Sequence, residues 1–167
     1  GPEYAGDFLR LLGSGKNFGI KLAYEIQDEA KGIAHALSLA EDFFDGEKVV
    51  AILGDNIFED NLGREVQSFE KRKKGAQIFL KKVKYPQRFG VPKLEGNHVL
   101  YIEEKPKNPK SKYAVTGLYM YDENVFDIIR KLKISDRGEY EITDVSNAYI
   151  KDHLLTYSIL KGFWSDA

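Results

Sequence analysis

Val49-Val50-Ala51-Ile52-Leu53-Gly54-Asp55-Asn56 is a continuous apolar run that stops at a glycine, a carboxylate and an amide. Apolar residues without a polar interruption are what a strand covered on both faces requires. Upstream, residues 20–26 (IKLAYEI) alternate apolar and polar, with Ile20, Leu22, Tyr24 and Ile26 on one face. That is the period of a half-buried strand. From Gly32 onward the spacing changes, because Ile33, Leu37, Ala40 and Phe44 follow a helical period. They predict an amphipathic helix that ends near Asp45-Gly46. Strand, helix and strand in this order predict a parallel pair joined by a crossover helix. Ligands of such sheets sit beyond the carboxyl ends of the strands, and Asp55 stands at such a position.

Downstream, residues 62–73 predict a second helix with Leu62, Val66 and Phe69 turned inward, and residues 76–83 predict another strand. The stretch from 89 to 121 has a different character. Shorter strands at 89–94, 98–104 and 113–121, with the turn Glu95-Gly96-Asn97 between the first two, are antiparallel in pattern. Residues 105–112 (KPKNPKSK) are basic and interrupted by proline, which marks a loop. Helices near 123–132 and 140–151 and a strand at 153–160 complete the chain, which has no internal repeat.

Composition removes several classes of function. The 167 residues, 43% of them hydrophobic, suffice for one domain with a real core. Lys plus Arg number 25 against 26 Asp plus Glu, so no global field attracts nucleic acid or an anionic membrane. The longest apolar run is far shorter than the roughly 20 residues that span a bilayer, which predicts a soluble protein. With no cysteine there is no disulfide and no thiolate chemistry, which fits a reducing cytoplasm. The three histidines, His35, His98 and His153, are not spaced as metal ligands.

The residues that carry chemistry lie at strand ends. Asp55 presents a carboxylate where a hard cation and phosphate oxygens can meet it, and Mg²⁺ suits a place that offers one or two carboxylates. Asp-Asn after a strand is also a turn and helix-cap pairing. Trp164-Ser165-Asp166 follows the last strand and supplies a second carboxylate that can share the cation; alternatively, its tryptophan simply packs. In Glu103-Glu104-Lys105-Pro106, alternation puts Glu104 on one face and Glu103 and Lys105 on the other. A carboxylate that accepts from sugar hydroxyls beside an ammonium that neutralises phosphate would read a sugar phosphate; a solvated charged edge is the other reading. Gln27 and Gly32 flank the helix entry, where an amide can read a pyrimidine edge and a glycine can let the backbone approach the base. A plain helix-entry turn explains them equally. Gly90 and Gly117 mark either close ligand approach or a bulge.

Residues 27–36 (QDEAKGIAHA), Gly54-Asp55-Asn56, Phe89-Gly90-Val91, Glu103-Glu104-Lys105-Pro106, residues 115–119 (VTGLY), residues 138–144 (GEYEITD) and Trp164-Ser165-Asp166 form an ordered ladder of motifs. Together they resemble the sugar nucleotidylyltransferases, most closely the thymidylyltransferases that act on glucose 1-phosphate. The resemblance implies an α/β, Rossmann-like three-layer nucleotidyltransferase fold with a mostly parallel central sheet and an antiparallel sugar-binding subregion. It implies an enzyme that joins dTTP to glucose 1-phosphate with Mg²⁺, giving dTDP-glucose and pyrophosphate. Position by position, Gln27 and Gly32 would read the pyrimidine, and Asp55 and Asp166 would hold the metal. Gly90, Glu104, Lys105 and Val115 would contact the hexose phosphate, with Lys105 on its phosphate and Trp164 lining the site. Asp55, Lys105 and Asp166 are thereby the catalytic candidates.

UTP is the natural competing nucleotide, since a thymine methyl supplies only about 1–3 kcal/mol of discrimination. The family's Gly-rich opening motif, which binds triphosphate, would lie before residue 1, and its C-terminal helices, which often complete a homo-oligomer, would lie after residue 167. Residues 1–167 are then expected to be a catalytic domain truncated at both ends, with little or no activity by itself. A non-catalytic domain on the same fold that binds a nucleotide sugar is the competing expectation.

Overall fold

Ala76, Gln77, Ile78, Phe79 and Leu80 are buried in succession, and they mark the centre of the sheet in the computed structural model, which describes residues 4–46 and 48–167. Four strands run in the order β1 (Val49–Ile52), β6 (Tyr113–Tyr121), β3 (Ala76–Lys82) and β7 (Leu155–Ile159). Alternation sends Ile78, Leu80, Tyr119 and Tyr121 into one core and Phe79, Leu118 and Met120 into the other. The first core is covered by α2 (Ile33–Ser38), α4 (Asn124–Ile129) and α5 (Ile142–Lys151), and the second receives Phe69 of α3 (Gly63–Glu70). This is the expected three-layer α/β arrangement.

Several expectations are corrected. The central sheet is mixed rather than mostly parallel: β3 and β7 are parallel, whereas β1 with β6 and β6 with β3 are antiparallel. Residues 20–26 form no strand and do not pair with β1 across a crossover helix. The segment is held instead against the residues after α1 (Ala5–Leu12), by Leu22 N donating to Ser14 O at 3.0 Å and the Tyr24 hydroxyl donating to Gly13 O at 2.7 Å. Apolar alternation specifies a face, but a ladder also needs a partner edge. β1 is not covered on both faces either, since Val49 and Ala51 pack on the core whereas Val50 and Ile52 are exposed. Helix α2 stops at Ser38, where the chain tightens through Ala40 N to Leu37 O before Phe44 returns to the core against Phe126. Val66 of α3 is exposed rather than inward.

Two smaller ladders complete the frame of the cleft. Strands β4 (Gly90–Glu95) and β5 (His98–Glu104) form the expected hairpin, which the side chain of Asn147 ties to α5. Its Oδ1 accepts from Ile102 N and its Nδ2 donates to Ile102 O, both at 2.8 Å. Strands β2 (Asn56–Phe58) and β8 (Trp164–Asp166) pair antiparallel, with Asn56 opposite Asp166. No helix among the described residues is long and apolar enough to cross a membrane.

One buried carboxylate joins three elements. Asp122 accepts from Gly75 N at 2.6 Å, from Asn124 N at 3.1 Å and from the Tyr149 hydroxyl at 2.6 Å, so it links the start of β3, the start of α4 and α5. Tyr121 stacks on Tyr149 with ring centroids 5.8 Å apart. Burial pushes the hydroxyls of Tyr121 and Tyr149 well above the ordinary tyrosine range, and for Tyr149 the bond to Asp122 adds to the effect. A raised folded value favours the native state as long as the unfolded phenols are neutral. The contribution of these groups is complete below about pH 10 and declines above it, because the unfolded chain ionises first. In an alkaline titration, Tyr121 and Tyr149 are expected to ionise only together with loss of helical circular dichroism. Phenolate absorbance from all ten tyrosines of a folded chain would contradict this.

Candidate active site

The carboxyl end of β1, the β2/β8 ladder, the ends of β4 and β5 and the first turn of α5 surround a cleft of about 210 Å³. It brings together Asp55, Gly90, Glu104, Lys105, Val115, Trp164 and Asp166, all of them candidates from the sequence. Gln27 and Gly32 do not line it, although the next residue, Ile33, does. Gln27 Nε2 donates to Gly32 O at 3.2 Å and lies 2.9 Å from His35 Nδ1. Gly32, at φ 92°, has no room for a side chain, because a Cβ would stand 2.7 Å from Tyr140 O. Its glycine therefore has a local packing cause.

The two metal candidates are neighbours across a ladder. Asn56 pairs with Asp166, and Ala167 N donates to Asp55 O at 2.9 Å, so both carboxylates stand at the same end of the β2/β8 pair. Asn56 Nδ2 donates to Asp55 Oδ1 at 2.7 Å. Arg88 reaches Asp166 at 3.9 Å, an exposed pair of little energetic weight. No set of three or more metal-ligating side chains occurs among the described residues. Two carboxylates fit Mg²⁺, which keeps several waters and takes further oxygens from phosphates, better than they fit a metal held wholly by protein. The ionisable lining comprises Asp55, Glu104, Glu139, Glu141 and Asp166 against Arg88, Lys105 and Arg137. This leaves a surplus of two negative charges, which a divalent cation would offset.

Opposite the carboxylates stands the end of β5. Glu104 Oε2 accepts from the Thr143 hydroxyl at 2.5 Å, and its Oε1 lies 3.5 Å from Arg137 Nη1. Arg137 also faces Glu139 at 3.2 Å and Glu141 at 3.4 Å. Lys105 has a positive φ of 42°, rare for a residue with a side chain, and its N–H donates to Phe89 O at 3.0 Å. Gly90 pairs with Glu104, and a Cβ there would stand 3.2 Å from Thr143 Oγ1 and 3.4 Å from Glu104 Oε2. Trp164 meets Phe89 edge-on, with centroids 5.4 Å apart, and forms one wall. Tyr119 lies in the lining, nearly buried. Burial first, and then the charges of Glu104 and Asp55, hold its hydroxyl neutral.

Arg88, Arg137, Tyr119 and Asn56 are site residues that the sequence reading did not assign. Arg88 lies one residue before Phe89-Gly90-Val91, and Arg137 one residue before the 138–144 motif. Cations abutting motifs were the available signal. Replacing Thr143 by valine keeps the shape but removes the donor to Glu104. The expected loss is about 1–2 kcal/mol of stability, read as a lower urea midpoint at unchanged slope. An unchanged midpoint would mean that the hydroxyl does not hold Glu104.

Comparison with known proteins identifies relatives of this chain. The model of the nucleotidyl transferase family matches residues 2–167. A glucose-1-phosphate thymidylyltransferase of Neisseria meningitidis is 41% identical over 99% of this chain and 59% of its own length. That of Mycolicibacterium smegmatis is 44% identical over 95% of this chain and 56% of its own length. A crystal structure from Bacillus anthracis, provisionally named a glucose-1-phosphate thymidylyltransferase and in complex with a sucrose, superposes with a TM-score of 0.91 at 51% identity. It is matched over 97% of this chain and 66% of its own. The chain thus spans less than two thirds of the length of these relatives. On the family match and on these identities, the chain belongs to the nucleotidyl transferase family.

Proposed function

We propose that the protein of which this chain forms part transfers a thymidylyl group from dTTP to glucose 1-phosphate, releasing pyrophosphate and giving dTDP-glucose. The observation that carries this reading is one cleft lined both by two carboxylates from the same ladder end, Asp55 and Asp166, and by the cations Lys105 and Arg137. Relatives named for this activity, at 41% and 44% identity, support the choice of substrates.

In this reading a phosphate oxygen of glucose 1-phosphate attacks the α-phosphorus of dTTP, and the bond from that phosphorus to the β-phosphate oxygen breaks. No covalent intermediate on the protein is required, so positioning and charge neutralisation supply the acceleration. Asp55 and Asp166 would hold Mg²⁺, which would supply charge withdrawal from the phosphates. Lys105 neutralises the hexose phosphate, and Arg137, restrained by Glu139 and Glu141, adds a second cation on the same side. Glu104 accepts hydrogen bonds from sugar hydroxyls at the oxygen positions that Thr143 leaves free. Gly90 and Val115 form the sugar-facing backbone, and Trp164 closes the wall. The pyrimidine takes the rim next to Ile33, where Gln27 Nε2 is already committed to Gly32 O and Oε1 is left to accept from a thymine N–H. Tyr119 contributes a neutral hydroxyl to the lining and never a phenolate at ordinary pH.

Calorimetric titration of the folded chain with dTDP-glucose, with and without Mg²⁺, tests the reading. Saturable binding is expected that weakens at least about tenfold, or ~1.4 kcal/mol, when Mg²⁺ is withdrawn or when Asp55 is replaced by asparagine. A folded chain that binds no nucleotide sugar, or binds it with indifference to both changes, would overturn it.

A further inference from the structure

Asn56 lines the cleft beside Asp55. Its side chain meets three separate parts of the fold. Oδ1 accepts from Gly117 N of β6 at 2.8 Å and from Trp164 Nε1 of β8 at 2.8 Å, while Nδ2 donates to Asp55 Oδ1 at 2.7 Å. The orientation of the amide is not a free choice. Turning it over would set its NH₂ group against two N–H donors and its oxygen against a carboxylate, so all three contacts would become repulsive.

The same amide explains a glycine. A Cβ on Gly117 would stand 2.5 Å from Asn56 Nδ2, 2.7 Å from its Cγ and 2.8 Å from Leu53 Cδ1, so both side chains would have to give way, the amide most. Residue 117 lacks a side chain so that Asn56 can occupy that space and take the backbone N–H. Leu53 N donates to Gly117 O at 2.8 Å, which fixes the strand end from the other side. The amide is therefore held by a backbone N–H of β6 and by the indole of Trp164, and Asp55 is the one carboxylate among its partners.

We propose that Asn56 is a positioning residue for the cation site: it holds Asp55 by one oxygen, so that the other oxygen and the remaining lone pair are presented to the divalent cation. Trp164 is bonded to the same amide, so the wall against which the ligand rests and the carboxylate that holds the cation share one anchor. A hydrogen bond to a ligating carboxylate fixes its orientation and so raises metal affinity. The inference rests on the reading of the cleft given under the proposed function.

Two variants test it by different routes. Asn56→Ala deletes the amide, whereas Gly117→Ala leaves every polar group in place and displaces the amide by collision. For each, dTDP-glucose affinity is measured with and without Mg²⁺, alongside the urea midpoint and the emission of Trp164, the sole tryptophan of the chain. In the parent chain Mg²⁺ is expected to strengthen binding and to change Trp164 emission. In both variants the strengthening by Mg²⁺ is expected to shrink at least tenfold, by more than metal-free affinity falls, and the Mg²⁺-linked change in emission is expected to disappear.

Variants that fold and keep the full Mg²⁺ effect would overturn the positioning role while leaving the proposed function intact. Loss of folding in both would assign Asn56 to the fold alone and would equally overturn it. A parent chain whose binding ignores Mg²⁺ would instead remove the reading of the cleft on which the inference stands.

Discussion

Strand β6 has to satisfy two ladders at once, and the way it does so governs the rest of the molecule. Against β1 it pairs continuously from Leu118 to Tyr121. Against β3 its register slips between Val115 and Tyr119, so Thr116, Gly117 and Leu118 fall out of step with their neighbours. Within the slip the Thr116 hydroxyl donates to Phe79 O at 3.0 Å, while on the other edge, where the pairing with β1 ends at Leu53 N to Gly117 O, Gly117 N turns to Asn56. A longer pairing with β1 would have spent this N–H on the ladder. The end of that pairing leaves one N–H aimed at the cleft, and Asp55, Asp166, Trp164 and the ends of β4 and β5 are arranged around it.

Much of this was legible in the sequence, for reasons that differ from element to element. Strand β3, the β4/β5 hairpin, β6 and α5 fall where the patterns place them, because each is specified by burial of its own residues and by nearby turn residues. Residues 20–26 have an equally good strand pattern and form none, and β1 has an uninterrupted apolar run but one bare face. In both, the outcome depends on what lies alongside, and a segment's own alternation does not name its neighbour. The direction of pairing is hidden for the same cause: β1 and β3 both run antiparallel to β6, a relation set by distant chain connections.

The site divides in a similar way. Asp55, Glu104, Lys105 and Asp166 stand at strand ends, where a break in apolar pattern exposes a polar residue, so position in the chain already hints at position in the cleft. Arg137 sits in a polar turn and looks solvated. Its place beside Glu104 arises from a contact between residues 33 apart in sequence. Asn56 resembles a turn residue until Gly117 and Trp164, both far along the chain, are brought to its oxygen. The sequence shows which residues can do chemistry, and the long-range contacts decide which of them can do it together.

Lys105 adds a last point. Its left-handed backbone is one that glycine or asparagine adopts at less cost, with a penalty for other residues of about 1–2 kcal/mol. Neither of those residues carries a charge. If the cleft works as proposed, with a cation needed at this place, the conformation and the chemistry call for different amino acids, and a single dihedral angle records that chemistry prevailed. On that reading, selection for a more stable chain and selection for a working one pull in opposite directions at this position, so an optimum for folding is not an optimum for use.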